Sequence, residues 1–138
     1  MTILAYTDGA SRGNPGDSGI GVILKNEKGQ ILFQAAGYIG QATNNVAEYQ
    51  ALLVCLKKAR KLGCTRLIVH SDSELMVQQL RGKYRVKDKK LQGYFKKAGD
   101  LLKAAPFSFE IVHVGRKMNR DADNLANRGI DGRERIKV

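Results

Sequence analysis

Four carboxylates in this chain sit where topology could gather them: Asp8, Glu48, Asp72 and Asp123. Glu48 poses the sharpest question. It lies in "QATNNVAEYQALLVCLKKA", where Leu52, Cys55, Leu56, Ala59 and Leu62 recur at the spacing of one buried helix face. Glu48 precedes Leu52 by four residues and so shares that face. A carboxylate turned inward one turn into a helix is costly unless something pairs with it. Asp8 is expected to end a strand, "TILAYTD", and Asp72 to end another, "RLIVHSD", while Asp123 falls in the first turn of a final helix, "DADNLAN". Acids from four separate elements can converge on one point, where they repel one another unless cations intervene. Two Mg²⁺ offset four negative charges, and Mg²⁺ prefers carboxylate and water oxygens. Metals about 4 Å apart can clamp the attacking and leaving oxygens of a phosphodiester. Taken singly, Asp8 could begin a turn, Asp72 could cap a helix and Asp123 could favour a helix dipole. An exposed position for Glu48 would contradict its helix face.

The elements that must position these acids follow from the residue pattern. Strands are expected at "TILAYTD", "IGVILKN" and "ILFQAAGYIG", joined by the turn-rich "GASRGNPGDSG" and then by "EKGQ". The Glu48 helix follows, with Thr43 or Asn44 as N-cap and Gly63 as its stop. Next come the strand ending at Asp72, a short helix from Ser73, and a helix over "KDKKLQGYFKKAGDLLKAA" stopped by Pro106. A strand "FSFEIVHVG", the final helix "NRDADNLANRG" and a frayed basic tail from about residue 130 to 138 complete the chain. The order β-β-β-α-β-α-α-β-α predicts an α/β fold. Its mixed sheet starts with three antiparallel strands, continues by parallel crossovers and is flanked by helices. The strands ending at Asp8 and Asp72 are expected side by side and parallel. Both acids would then sit at the carboxyl edge, where open α/β sheets place their sites.

A length of 138 residues suits a single domain spanning 1–138. No apolar run approaches the ~18 residues of a membrane span, and the N-terminus lacks a basic stretch followed by a long apolar one. A cytoplasmic monomer without membrane association is expected. Cys55 and Cys64, which form no CxxC pair, are expected as reduced thiols. Net charge is +11 and unevenly placed: residues 1–56 carry Arg12, Lys25 and Lys28 against Asp8, Asp17, Glu27 and Glu48, so the excess lies beyond them. It is densest in "RGKYRVKDKKLQGYFKK", residues 81–97, where Tyr84, Tyr94 and Phe95 are interleaved with the basic residues. An excess this local points to nucleic acid. It would supply affinity but not chemistry.

The pieces "YTDGASRGNPG", "TNNVAEYQALL", "SDSELMVQQL" and "NRDADNLAN" occur in an order and spacing that resemble the ribonuclease H type 1 family over nearly the whole chain. The resemblance implies an endonuclease that hydrolyses the RNA strand of RNA–DNA hybrids, leaving 5′-phosphate and 3′-hydroxyl ends. It also implies a five-stranded sheet with the hairpin strands on one side. By the same resemblance Asp8, Glu48, Asp72 and Asp123 are the metal-binding catalytic acids for two Mg²⁺, with Mn²⁺ able to replace them. Asn14, Asn44 and Asn45 match substrate-contact positions, and Thr43 matches a residue that helps hold a DNA phosphate. Each also has a local role to hand, as turn residue or N-cap. Glu74 stands where some relatives have a glutamine that contacts RNA. The basic handle that some members insert is missing between Gly82 and Asp88, which implies weaker substrate binding than in members that carry it.

Two alternatives compete with this reading. A hybrid-binding module of the same fold that has lost catalysis would lack one of the acids, and all four are present. An integrase-like nuclease or transferase would usually lack "GNPG" combined with the "TNN…E" helix start. His70, two residues before Asp72, is expected as a packed strand residue. His113 stands ten residues before Asp123, the count at which one branch of the family carries an auxiliary histidine, but alternation is expected to pack it inside its strand with Phe107, Phe109 and Ile111. "VGRKMNRDADNLA" resembles branches whose shorter loop carries an arginine there, and that resemblance implies Arg116 as the auxiliary catalytic group.

Overall fold

Alternation in the first strand sets the layers. In the computed structural model, which describes residues 1–136 and 138, β1 (Thr2–Arg12) buries Ile3, Ala5 and Thr7 while Thr2, Leu4 and Tyr6 are half-buried. β2 (Gly16–Lys25) is buried on both faces, as a strand covered from two sides must be. β3 (Ile31–Ala42) completes the antiparallel start. After α1 (Asn44–Lys61) the chain returns through β4 (Arg66–Ser71), α2 (Glu74–Leu80), α3 (Lys89–Ala104) and β5 (Ser108–His113). A 3₁₀ turn (Arg116–Asn119) then leads into α4 (Arg120–Gly132). The sheet order is β3-β2-β1-β4-β5, with β4 parallel to β1 and β5 parallel to β4. This is the expected mixed five-stranded sheet. Its core gathers Ile3, Ile20, Val22, Leu24, Leu52, Leu56, Leu67 and Val69 between sheet and helices.

The structure departs from the sequence expectations in four places. β1 does not end at Asp8. It runs on to Arg12, paired with β2 as far as Arg12↔Asp17, so the turn shrinks to residues 13–15. The polar "GASR" is a hairpin arm whose hydrogen bonds come from its partner strand, and local polarity does not reveal that. α1 is buried on far more than one face, with Val46, Ala47, Tyr49, Ala51, Leu53 and Val54 inside as well as Leu52, Cys55 and Leu56. It is wedged between the sheet and α3.

The C-terminal residues form no frayed tail. α4 continues to Gly132, and the Tyr38 N–H then donates to the Glu134 carbonyl at 2.8 Å, while the Ile136 N–H donates to the Tyr38 carbonyl at 3.3 Å. Arg133 pairs with Asp17 at 2.7 Å, and the Arg133 and Arg135 guanidinium groups lie over the Tyr38 ring. The segment thereby covers the open edge of β3. Its charges suggest solvent, but they are the groups that dock it.

His113 is exposed rather than packed. Phe107 and Ile111 are buried as the alternation requires, but His113 ends β5, paired with the last residue of β4, where the covered face runs out. Cys55 and Cys64 are both buried free thiols.

Candidate active site

The site forms where two parallel strands part. Pairing between β1 and β4 ends at Tyr6↔His70. Asp8 lies two residues further along β1, and Asp72 follows the last residue of β4. Beyond Asp72 the chain turns into α2, with the Ser71 hydroxyl accepting from the Ser73 N–H and the Ser73 hydroxyl accepting from Met76.

Glu48 arrives from α1 because that helix touches β1 backbone to backbone. A β-carbon on Gly9 would overlap the Ala47 and Glu48 main chain. At that contact the Gly9 N–H donates to Glu48 Oε1 at 3.0 Å. Asp8 and Glu48 are only 4% and 7% exposed, which rules out a surface explanation for either. One oxygen from each of Asp8, Glu48 and Asp72 lies within 4.8 Å of the others.

Asp123 stands outside that tight group but lines the same cleft, near enough for its carboxyl to help raise that of Asp8. Its helix is brought down by glycine: a β-carbon on Gly21, the residue paired with Asp8, would overlap the Ala122 carbonyl. Asn127 Nδ2 donates to Asp123 Oδ1 at 3.3 Å, and Arg12 contacts Asn127 while pairing with Asp131 at 2.6 Å.

Burial, then repulsion from Glu48 and Asp72, pushes the Asp8 carboxyl up to about 10. Burial, then repulsion from Asp72, pushes Glu48 up to about 8, against the lowering effect of the Gly9 N–H. Without a cation the folded protein therefore retains protons that the unfolded chain releases near pH 4. It binds more protons than the unfolded state across the interval from there to about pH 8, and its stability falls as pH rises through that window. The slope is bounded at about 1.4 kcal/mol per pH unit for each proton held. Thermal melts in chelator from pH 5 to 8 should show this decline, and saturating Mg²⁺ should flatten it if a divalent cation occupies the site, because cation binding favours the ionised carboxylates. Equal decline with and without the cation would mean that these carboxyls are not its source.

Opposite the acids the cleft is basic: Arg116, Lys117 and Arg120 line it, from the 3₁₀ turn and the start of α4. Arg116 is the residue expected from sequence. Lys117 and Arg120 are additions, and their signal was the run "GRKMNR" just ahead of "DAD". Asn44 and Asn45 line the cleft as well. Thr43 and Asn14 do not. The Thr43 hydroxyl caps α1 by accepting from the Val46 N–H at 3.2 Å, and Asn14 Oδ1 accepts from the Asn44 N–H at 3.1 Å, tying the β1–β2 turn to the helix start. Glu74 is exposed and outside the cleft lining. His70 stacks on Tyr6 with ring centres 4.4 Å apart and bonds the Ala5 carbonyl through Nδ1, which is a packing role. Residues 81–88, exposed except for the half-buried Val86, join α2 directly to α3 with no inserted helix.

The donor set consists of carboxylate oxygens from two strand ends and a helix. It suits hard divalent cations such as Mg²⁺ or Mn²⁺. Two buried acids facing a basic rim can hold cations next to a bound polyanion.

A family model described as reverse transcriptase-like matches residues 6–129. Ribonuclease HI of Halobacterium salinarum is 40% identical over 127 residues, which cover 92% of this chain and 63% of that protein. A bifunctional protein of Mycobacterium tuberculosis is 40% identical over 133 residues, covering 95% of this chain and 36% of its own length. The chain thus spans under two thirds of the length of these curated relatives. The crystal structure of LC11-RNase H1 in complex with an RNA/DNA hybrid superposes with a TM-score of 0.90 at 41% identity, covering 94% of this chain and 97% of that one.

Proposed function

The chain belongs to the ribonuclease H type 1 family, and on that premise we propose that it is an endonuclease cutting the RNA strand of RNA–DNA hybrids. The observation that carries this is the cluster of Asp8, Glu48 and Asp72, with mutually close oxygens, two of the three acids buried. In this reading Asp8, Glu48, Asp72 and Asp123 hold two Mg²⁺, with Mn²⁺ able to replace them. When bound, these ions activate the attacking water and neutralise charge developing on the phosphate.

The chain's own residues do the rest. Gly9 fixes the Glu48 carboxylate through its N–H, leaving the other carboxylate oxygen for a ligand or a ribose 2′-hydroxyl, the group that marks the RNA strand. Asn44 and Asn45 face the cleft from the start of α1, where amides suit minor-groove edges. Thr43 and Asn14 fix that helix start and so act on the substrate from its border. Arg116 supplies a permanent positive charge for the scissile phosphate, and residues 81–90 extend the basic track. The products are RNA ends carrying 5′-phosphate and 3′-hydroxyl. Residues 1–138 act as one catalytic domain, a monomer in the cytoplasm; no helix among the described residues is long and apolar enough to cross a membrane.

End-labelled hybrid, duplex RNA and duplex DNA, incubated with and without Mg²⁺, test the proposal. Cleavage confined to the RNA of the hybrid and dependent on the cation is expected. Tight hybrid binding with no cleavage would instead favour a binding module of the same fold. Arg116→Ala should lower turnover at least about tenfold, equivalent to about 1.4 kcal/mol of barrier. His113→Ala, at an exposed strand end, should change stability by under about 0.5 kcal/mol and leave turnover near wild type. Turnover lost in the histidine variant and retained in the arginine variant would reverse these assignments.

A further inference from the structure

Asn119 occupies the N-cap position of α4, yet its side chain makes no capping bond to that helix. Asparagine is among the best N-caps because its short side chain satisfies an orphan N–H of the first turn. Here the amide is used elsewhere. Asn119 Nδ2 donates to the Thr7 carbonyl at 2.9 Å, across 112 residues of sequence. Both residues are sealed from solvent, Asn119 at 1% and Thr7 at 0% exposure. Only the nitrogen end of an amide can serve a carbonyl, so the bond itself fixes the orientation. Asn119 Oδ1 and Thr7 Oγ1 find no hydrogen-bond partner among the described residues. A buried amide that forgoes its own helix cap and leaves its oxygen unpaired is kept for its donor.

The position of this bond gives it a role. β4 stops pairing with β1 at Tyr6↔His70, and one residue later the Thr7 carbonyl is met by Asn119 instead of a strand. The bond therefore continues the ladder across the split in which the acids sit. On one side of it, Thr7 is followed by Asp8. On the other, Asn119 ends the 3₁₀ turn that carries Arg116 and stands four residues before Asp123. No other side-chain hydrogen bond among the described residues joins the 3₁₀ turn to β1.

We propose that Asn119 is a positioning residue: through its bond to the Thr7 carbonyl it sets the distance from Asp8, on β1, to Asp123 and Arg116, on the turn and helix opposite. Its effect falls on metal affinity and turnover rather than on hybrid binding. The inference rests on the metal-dependent reading of the cleft given above.

Asn119→Leu keeps bulk and removes the donor, and Asn119→Ser provides a smaller, polar replacement should leucine fail to fold. Three quantities are read on folded protein well below the melting temperature: Mn²⁺ affinity by calorimetry without substrate, turnover at saturating hybrid and Mg²⁺, and KM for hybrid. Both variants should bind Mn²⁺ at least threefold more weakly and turn over at least tenfold more slowly, with KM within about threefold of wild type. Leu101→Ala, a half-buried change on the remote α3, serves as a control that lowers the melting temperature without moving Mn²⁺ affinity. Unchanged Mn²⁺ affinity in both Asn119 variants, or an activity loss matched by the control at equal destabilisation, would overturn the proposal. If the wild-type protein bound Mn²⁺ but cleaved no hybrid, the proposed function would fail while calorimetry still tested Asn119.

Discussion

Asp8→Asn is expected to lower hybrid cleavage at least about 10³-fold, which corresponds to about 4 kcal/mol of lost barrier stabilisation, while hybrid binding in chelator stays within a few-fold of wild type. Asp8 is the acid most deeply committed to the site. It is 4% exposed, lies beside Glu48 and Asp72, and is raised by burial and by both neighbours. Asparagine keeps the shape and removes the charge that a divalent cation needs. The same change should make the chelated protein more stable, by about 1–2 kcal/mol at pH 8, in the range gained when a strained functional site is relaxed. The sign follows from the linkage argument. Wild-type Asp8 must take up a proton to fold, at a cost that grows with pH above the unfolded value, and asparagine need not. The gain should therefore shrink toward zero near pH 4. Chemical denaturation of both proteins in chelator at pH 4, 6 and 8 measures it. A variant less stable than wild type at pH 8 would show that Asp8 is not held against repulsion, and retained cleavage would remove it from the metal site.

Gly9→Ala should be nearly as damaging, for a different reason. Its β-carbon would overlap the main chain of Ala47 and Glu48, and backbone, unlike the end of a flexible side chain, cannot step aside. Either β1 or α1 must shift, both are core elements, and overpacking of this kind costs about 3 kcal/mol or more. For a chain of this size that is a drop in Tm of roughly 6–12 °C. The displacement falls on the residue whose carboxylate the Gly9 N–H holds. Turnover of the folded fraction should therefore fall at least about 10²-fold, from loss of preorganised geometry. Calorimetric melting together with turnover on folded protein tests both parts. A melting temperature within 2 °C of wild type would mean that helix and strand do not meet as closely as Gly9 implies.

Much of this molecule was legible along the chain because the controlling forces are local or periodic. Alternating and three-to-four spaced apolar residues marked the strands and helices. Gly63, at φ +74°, and Pro106 marked helix ends. The inward face of α1 singled out Glu48 without any knowledge of its neighbours. Four motifs in register then placed Asp8, Glu48, Asp72 and Asp123 in one family, and the cleft does bring them together.

The rest depended on partners far away in sequence. Whether "GASR" is loop or strand is decided by β2, which supplies the hydrogen bonds of β1 beyond Asp8. Whether His113 is packed is decided by where its neighbours stop covering β5, since periodicity assigns a face but not its cover. The charged C-terminal segment docks because Tyr38 and Asp17 offer a ring, a backbone edge and a carboxylate, none of them visible from its own composition. Lys117 and Arg120 became cleft residues only when the 3₁₀ turn aimed that run at the acids. Asn119 is the clearest case. Its place just ahead of α4 suits an ordinary N-cap, and only the tertiary structure reveals the buried carbonyl to which its amide is committed. A hydrogen bond is set by distance and direction in space, and a chain pattern records neither for residues that fold together from opposite ends.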